Sequence, residues 1–181
     1  MNLRLFAARL YLPAGLQKRK LESLLALTAR AFNTVSPSVN GLPLREMRRV
    51  YAEFSRAMAE LALSRRDGLE AVERRLFEGA ERLGREIAGE LRIATPREVM
   101  AAARVLYRGL EIDLAGRPSG EIVVRRCSFS REYSPEVCRL MSRLDAGVLS
   151  GLAGGGELVF TERLTEGAGC CRARFTLPGA R

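Results

Sequence analysis

The stretch LEIDLAGRPSGEIVVRRCSF, residues 110–129, decides the fold, because the helical spacing of the preceding residues changes here to strand alternation. Leu110, Ile112 and Leu114 fall on one face of the first half, and acidic residues fall on the other. GRPSG, residues 116–120, is typical of a turn, and the β-branched run after it is typical of a second strand. The stretch therefore predicts an antiparallel β-hairpin.

The residues after the hairpin predict one helix and two more strands. SPEV, residues 134–137, marks a helix start with Ser134 as N-cap, and AGGG, residues 153–156, marks its end. Residues 157–167 and 170–177 then alternate as strands do. Residues 106–181 therefore follow the order β-β-α-β-β, with antiparallel pairing between neighbouring hairpin strands.

The residues before the hairpin predict a helical half. Apolar residues recur at steps of three and four in the three segments 16–32, 44–64 and 69–91. TPRE, residues 95–98, predicts a fourth helix that begins with a capping box and runs through Tyr107. We therefore expect one α+β domain over residues 1–181. Its helical part, residues 1–105, would cover one face of a four-stranded antiparallel sheet in residues 106–181.

The composition excludes several functional classes. The 181 residues contain no histidine, so a catalytic imidazole and an imidazole metal ligand are both excluded. The net charge of +9 comes almost wholly from arginine spread along acidic and basic helix faces, and few aromatic residues interleave with it, which does not favour nucleic-acid binding. No apolar run is long enough for a membrane span or a secretory signal. We expect a cytoplasmic globular protein.

The four cysteines are the first candidates for a site. Strand alternation turns Cys171 inward and Cys170 outward, so the adjacent pair does not act as one unit. If the fourth strand begins where the second ends, Cys127, Cys138 and Cys171 converge at one end of the sheet. Three thiolates with an open fourth position suit zinc. The alternative is that all three are buried as small apolar side chains.

Three further residues complete the predicted ligand pocket. Glu162 falls on the same alternation as the apolar residues of its strand, and a carboxylate on such a face needs a partner such as Arg125, a proton or a metal. The alternative is that the edge of the strand exposes Glu162 to water. Gly147 and Gly151 lie four residues apart on the helix after residue 134. They allow a close approach, either of the helix to the sheet or of a ligand to the helix.

The C-terminal half resembles the 4-vinyl reductase domain family. The resemblance rests on the strand cysteine of IVVRRCSF, on the helical C…GxxxGL pattern and on the final strand, and it covers residues 95–181. The matching positions are Cys127, Cys138, Gly147, Gly151, Gly167, Cys171 and, with an offset, Phe175. The family usually carries another cysteine near the position of Leu164. The same layout is similar to the aminothiazoline-carboxylate hydrolase-like family.

The resemblance implies a fold like the TRAPP-subunit and haem-nitric-oxide-binding domains and a small-molecule ligand, with a metal held by Cys127, Cys138 and Cys171. A hydrolase is the second expectation, in which Cys127 or Cys138 is the nucleophile or metal ligand and Glu162 the acid–base group. The third is a homodimeric interaction module that pairs through the helices at 16–32 and 44–64. The residues alone do not decide whether the protein is an enzyme.

Overall fold

The computed structural model describes residues 5–7, 13–65 and 67–178 and confirms the α+β class. Four helices form the first half, and a four-stranded antiparallel sheet with a fifth helix forms the second. The helices are α1 (Ala14–Ala31), α2 (Leu44–Arg65), α3 (Leu69–Leu91), α4 (Pro96–Gly109) and α5 (Pro135–Ala153). The strands are β1 (Asp113–Gly116), β2 (Glu121–Arg126), β3 (Glu157–Glu162) and β4 (Cys171–Thr176).

The start of the first strand differs from the prediction, because α4 continues to Gly109. Its N-terminus has the expected capping box, in which Thr95 accepts from the Glu98 backbone N–H and Glu98 accepts from the Thr95 backbone. At its other end the Ile112 N–H donates to the Tyr107 carbonyl at 3.0 Å, and Glu111 takes a positive φ of 59°. These bonds close the helix where alternation predicted a strand, so β1 is short.

The sheet has the spatial order β1-β2-β4-β3, so the second and fourth strands are neighbours. Cys171, the first residue of β4, lies opposite Val124 near the end of β2. The inner face of β4 carries Cys171, Ala173 and Phe175, as alternation predicted. The expected meeting of the second strand's end with the fourth strand's start is therefore present.

Helix α5 lies between the sheet and α3. Its six predicted apolar positions, Val137, Leu140, Met141, Leu144, Val148 and Leu152, are all buried. Gly147 and Gly151 lie against α3, where a Cβ on either would collide with the backbone oxygen of Phe77 or Glu81. Gly84 of α3 faces them in the same way. The small residues therefore serve a close helix–helix crossing, and the predicted contact with the sheet or a ligand is wrong.

An irregularity in β3 changes the direction of two charged side chains. Phe160 pairs with Ala173 and Glu162 pairs with Arg172, so Thr161 is an extra residue on one strand. A one-residue insertion moves every following side chain to the opposite face. Glu162 is consequently exposed, 3.3 Å from the guanidinium of Arg172, and its predicted place on the apolar face is wrong.

Candidate functional site

A cavity of about 240 Å³ lies between the inner face of the sheet and the helices. Each of α1 to α5 and β1 to β4 contributes to its wall, which is mainly apolar. Representative apolar residues are Leu24, Ile87, Leu106, Val124, Leu149 and Phe160. Leu110, Ile112 and Leu114 also line it, so their predicted common side is right although only Leu114 lies in a strand. We call this space the central cavity.

The central cavity is where the three predicted thiols meet. Cys127 follows β2, Cys138 lies in the first turn of α5, and Cys171 begins β4; all three line the cavity wall. Cys170 does not line it. All four cysteines are free thiols. The convergence depends on the β2–β4 pairing, which places residues 127 and 171 at the same end of the sheet.

The three thiols have different environments. Burial raises the pKa of the Cys127 thiol to about 12, which keeps it protonated. Burial also raises the pKa of Cys171, although the Leu164 N–H donates to its sulfur at 3.3 Å and opposes the rise. Cys138 has a cationic neighbour, because the Arg163 Nη1 donates to its sulfur at 3.7 Å. Of the three thiols, Cys138 is thus the one in contact with a guanidinium.

The geometry does not assemble the thiols into a metal site. Across residues 5–7, 13–65 and 67–178, no group of three or more His, Cys, Asp or Glu side chains is arranged to hold a metal ion. The donor set that the sequence proposed for zinc, Cys127, Cys138 and Cys171, shares a cavity without forming such a group. Zinc binding stays a prediction from the sequence.

A carboxylate that the predicted ligand pocket did not include, that of Asp145, lies in the cavity wall. Asp145 of α5 accepts a 2.6 Å hydrogen bond from the Tyr107 hydroxyl of α4. Burial raises the pKa of Asp145 to about 6, and the Tyr107 bond and the charge of Arg163 limit the rise. The sequence did indicate that Asp145 faces the interior of the protein, since residue 145 lies between Met141 and Val148 on the apolar stripe of the helix.

The second missed residue is Arg163, which alternation placed on the polar face. After the irregularity in β3 its side chain turns inward and is only 13% exposed. Its guanidinium lies 4.1 Å from the centre of the Phe160 ring, and its Nη1 donates to the Ser142 Oγ at 2.7 Å. No pattern in the sequence signals the extra residue, so this position was not predictable.

A group of three aromatic residues borders the cavity: Tyr51 within α2, and Phe129 and Tyr133 after β2. Phe129 packs edge-on against Tyr51 at 5.7 Å and stacks on Tyr133 at 5.3 Å between ring centroids. The Tyr133 hydroxyl lies 2.5 Å from the Ser55 Oγ. Burial raises the pKa of Tyr51 and of Tyr133, so both hydroxyls stay neutral. These aromatic rings form a polarisable, apolar part of the cavity wall near the thiols.

The remaining predicted site residues lie elsewhere. Gly147 and Gly151 contact α3, and Glu162 forms a surface ion pair, so the central cavity contains only Cys127, Cys138 and Cys171 of the six. No helix in the described ranges is long and apolar enough to cross a membrane. No protein-family model matches the sequence, and the search of curated proteins finds no significant relative.

Proposed function

We propose that this protein is a small-molecule-binding domain of the 4-vinyl reductase type, and that its ligand occupies the central cavity. The observation that carries the proposal is the cavity itself, a largely apolar space of about 240 Å³ whose wall includes a few polar groups, among them Asp145 and Arg163. Ligand sites commonly combine an apolar wall with a few placed polar groups.

The size of the cavity supports an occupant. An engineered apolar cavity of about 150 Å³ in another protein is large enough for benzene, so this one has room for a larger aromatic or short-chain molecule. The apolar wall atoms around this space lack packing partners on one side. A ligand that supplies those contacts and binds only the folded state would stabilise the fold by mass action.

The proposal is tested by nuclear magnetic resonance titration with isopentylbenzene, a small hydrocarbon. We expect saturable shifts confined to cavity residues. Val124→Phe places extra volume in the cavity and abolishes the shifts. Val159→Phe makes the same change on the opposite face of the sheet, where Val159 is 50% exposed, and leaves them intact. No saturable binding, or equal binding by both variants, would overturn the proposal.

A thiol-dependent hydrolase is the second candidate, favoured by the contact between Cys138 and Arg163. A cation beside a thiol in the first turn of a helix stabilises the thiolate that nucleophilic chemistry needs. Cys127 is disfavoured in this role because of its raised pKa, and Glu162 is disfavoured as acid–base group because it lies outside the cavity. Loss of turnover in Cys138→Ser but not in Cys170→Ser would support this reading.

Metal and dimer formation stay predictions. Elemental analysis of protein purified without chelator tests the zinc expectation. Light scattering tests the homodimer, whose proposed contact helices α1 and α2 already bury apolar residues such as Leu25 and Met47 in the core of their own chain.

A further inference from the structure

Two charged side chains of opposite sign, Asp145 and Arg163, line the central cavity. Ser142 and Asp145 are three residues apart on α5, so they share a face. Arg163 reaches that face from the end of β3, where its Nη1 donates to Ser142 at 2.7 Å. Asp145 and Arg163 therefore flank one small part of the cavity wall.

Asp145 keeps an acceptor toward the cavity. Tyr107 is the hydrogen-bond partner that the described part of the chain provides for it, and that bond occupies one carboxylate oxygen. Asp145 nevertheless retains accessible surface although protein surrounds it. Because Asp145 lines the cavity, that surface faces the cavity interior.

Arg163 keeps donors in the same region. Its nearest carboxylate oxygen, on Glu166, is 3.9 Å away and is held at 2.8 Å by Arg139. In the described ranges, Arg163 and Asp145 do not form an ion pair within 4.0 Å. The charge of Arg163 nevertheless lowers the pKa of Asp145. The charge of Arg163 thus acts on Asp145 without a direct ion pair between the two side chains.

The charge balance restricts what can enter. With Asp145 negative and Arg163 positive, the polar part of the cavity wall is neutral as a whole. A ligand with a net charge would leave one buried charge uncompensated, which is costly in an apolar surrounding. A pure hydrocarbon would leave the carboxylate oxygen and the guanidinium donors unpaired. A neutral head group that both donates and accepts avoids both costs.

We propose that the ligand is a small apolar molecule with a neutral head group of the carboxamide type, whose N–H donates to Asp145 and whose carbonyl accepts from Arg163. This inference rests on the proposed function, since it names the chemical class of the same ligand. A carboxamide carries its donor and its acceptor on separate atoms. It can therefore bridge Asp145 and Arg163, which form no direct ion pair with each other. The hydrocarbon body of the ligand lies along the leucine and valine side chains of the wall.

Four probes of nearly identical shape separate the head groups: 3-phenylpropanamide, 3-phenylpropanoate, 1-methyl-3-phenylpropylamine and isopentylbenzene. Calorimetric titration at neutral pH measures the affinity of each for the full-length protein. We expect the amide to bind at least about tenfold more tightly than each of the other three, because the others leave buried groups unpaired or a charge uncompensated.

Two variants change the charge balance in opposite directions. Asp145→Asn is expected to weaken amide binding and to strengthen binding of the carboxylate, since it removes the negative charge. Arg163→Met is expected to weaken amide binding and to strengthen binding of the amine. Isopentylbenzene binding by both variants shows that each one folds. Glu162→Gln, outside the cavity, serves as the matched control and is expected to keep the original order.

The outcomes distinguish the two proposals. If isopentylbenzene binds as tightly as the amide, the head-group inference is overturned while the proposed function stands. Preference for the carboxylate or the amine also overturns the inference and identifies an anion or cation site. If none of the four binds, the proposed function fails first. An amide preference that neither variant alters would contradict the assigned roles of Asp145 and Arg163.

Discussion

The Tyr107 hydroxyl of α4 donates a 2.6 Å hydrogen bond to the Asp145 carboxylate of α5. This bond joins the two helices in the wall of the central cavity. Burial and the neighbouring carboxylate both raise the pKa of Tyr107, so the phenol keeps its proton and remains the donor. The pair places an ionisable group inside an apolar wall, which costs stability and is common at binding sites.

Asp145→Asn is expected to stabilise the unliganded protein at neutral pH. The pKa of Asp145 is raised from 3.8 to about 6 in the folded state, so the native protein binds this proton more tightly than the unfolded chain. The contribution of Asp145 to stability therefore falls as pH rises from about 4 to about 6 and stays low above that. A two-unit shift corresponds to on the order of 2–3 kcal/mol.

Denaturant unfolding at several pH values measures this difference. The gain in the free energy of unfolding caused by Asp145→Asn should be present at pH 7. It should vanish below about pH 4, where Asp145 is protonated in both the folded and the unfolded state. Tyr107→Phe is the opposing variant, because it removes the hydrogen bond that supports the carboxylate, and we expect it to destabilise the protein at pH 7. A gain that is the same at both pH values would contradict the raised pKa.

Gly151→Ala is expected to destabilise the protein by at least about 2 kcal/mol, because its Cβ would overlap the Glu81 carbonyl of α3 and neither backbone can move freely. Gly89→Ala is the matched control on α3. It has open space around it, and alanine there should stabilise the helix by up to about 1 kcal/mol. Thermal unfolding of both variants measures the difference; equal effects would refute the close crossing.

Cys138 is expected to react with iodoacetamide faster than Cys127 in the native protein. The Cys138 sulfur accepts a hydrogen bond from the guanidinium of Arg163, and a neighbouring cation favours reaction at a thiol, whereas burial holds the pKa of Cys127 near 12. Timed alkylation followed by peptide mass spectrometry gives both rates. Arg163→Met should slow Cys138 several-fold and leave Cys170 unchanged. Faster labelling of Cys127 would exclude this order of reactivity.

Glu162→Gln is expected to change the stability of the protein and the binding of hydrocarbon in the cavity only slightly. The pair with Arg172 lies on the surface, where ion pairs contribute roughly 0–1 kcal/mol. Hydrocarbon binding in the cavity should be unaffected, because Glu162 does not line it. A large loss of binding would contradict the position of Glu162 outside the cavity.

The sequence by itself determined the features that depend on near neighbours. Helical spacing predicted α1 to α5, and the side-chain caps predicted at Thr95 and Ser134 begin α4 and α5. Alternation correctly placed Cys171 inside, since a strand's side chains alternate whatever the strand packs against. The absence of histidine excluded imidazole chemistry outright.

Only the tertiary structure decided which groups share the cavity. Because Thr161 is an extra residue in β3, Arg163 lies on the inner face of the sheet and Glu162 does not. No local sequence pattern predicts such an insertion. The sequence around Gly147 and Gly151 does not show whether a ligand, a sheet or a helix lies against them. The position of α3 determines that a helix does. Asp145 acquires its raised pKa from burial by elements far away in the chain, because desolvation depends on the whole surroundings of a group.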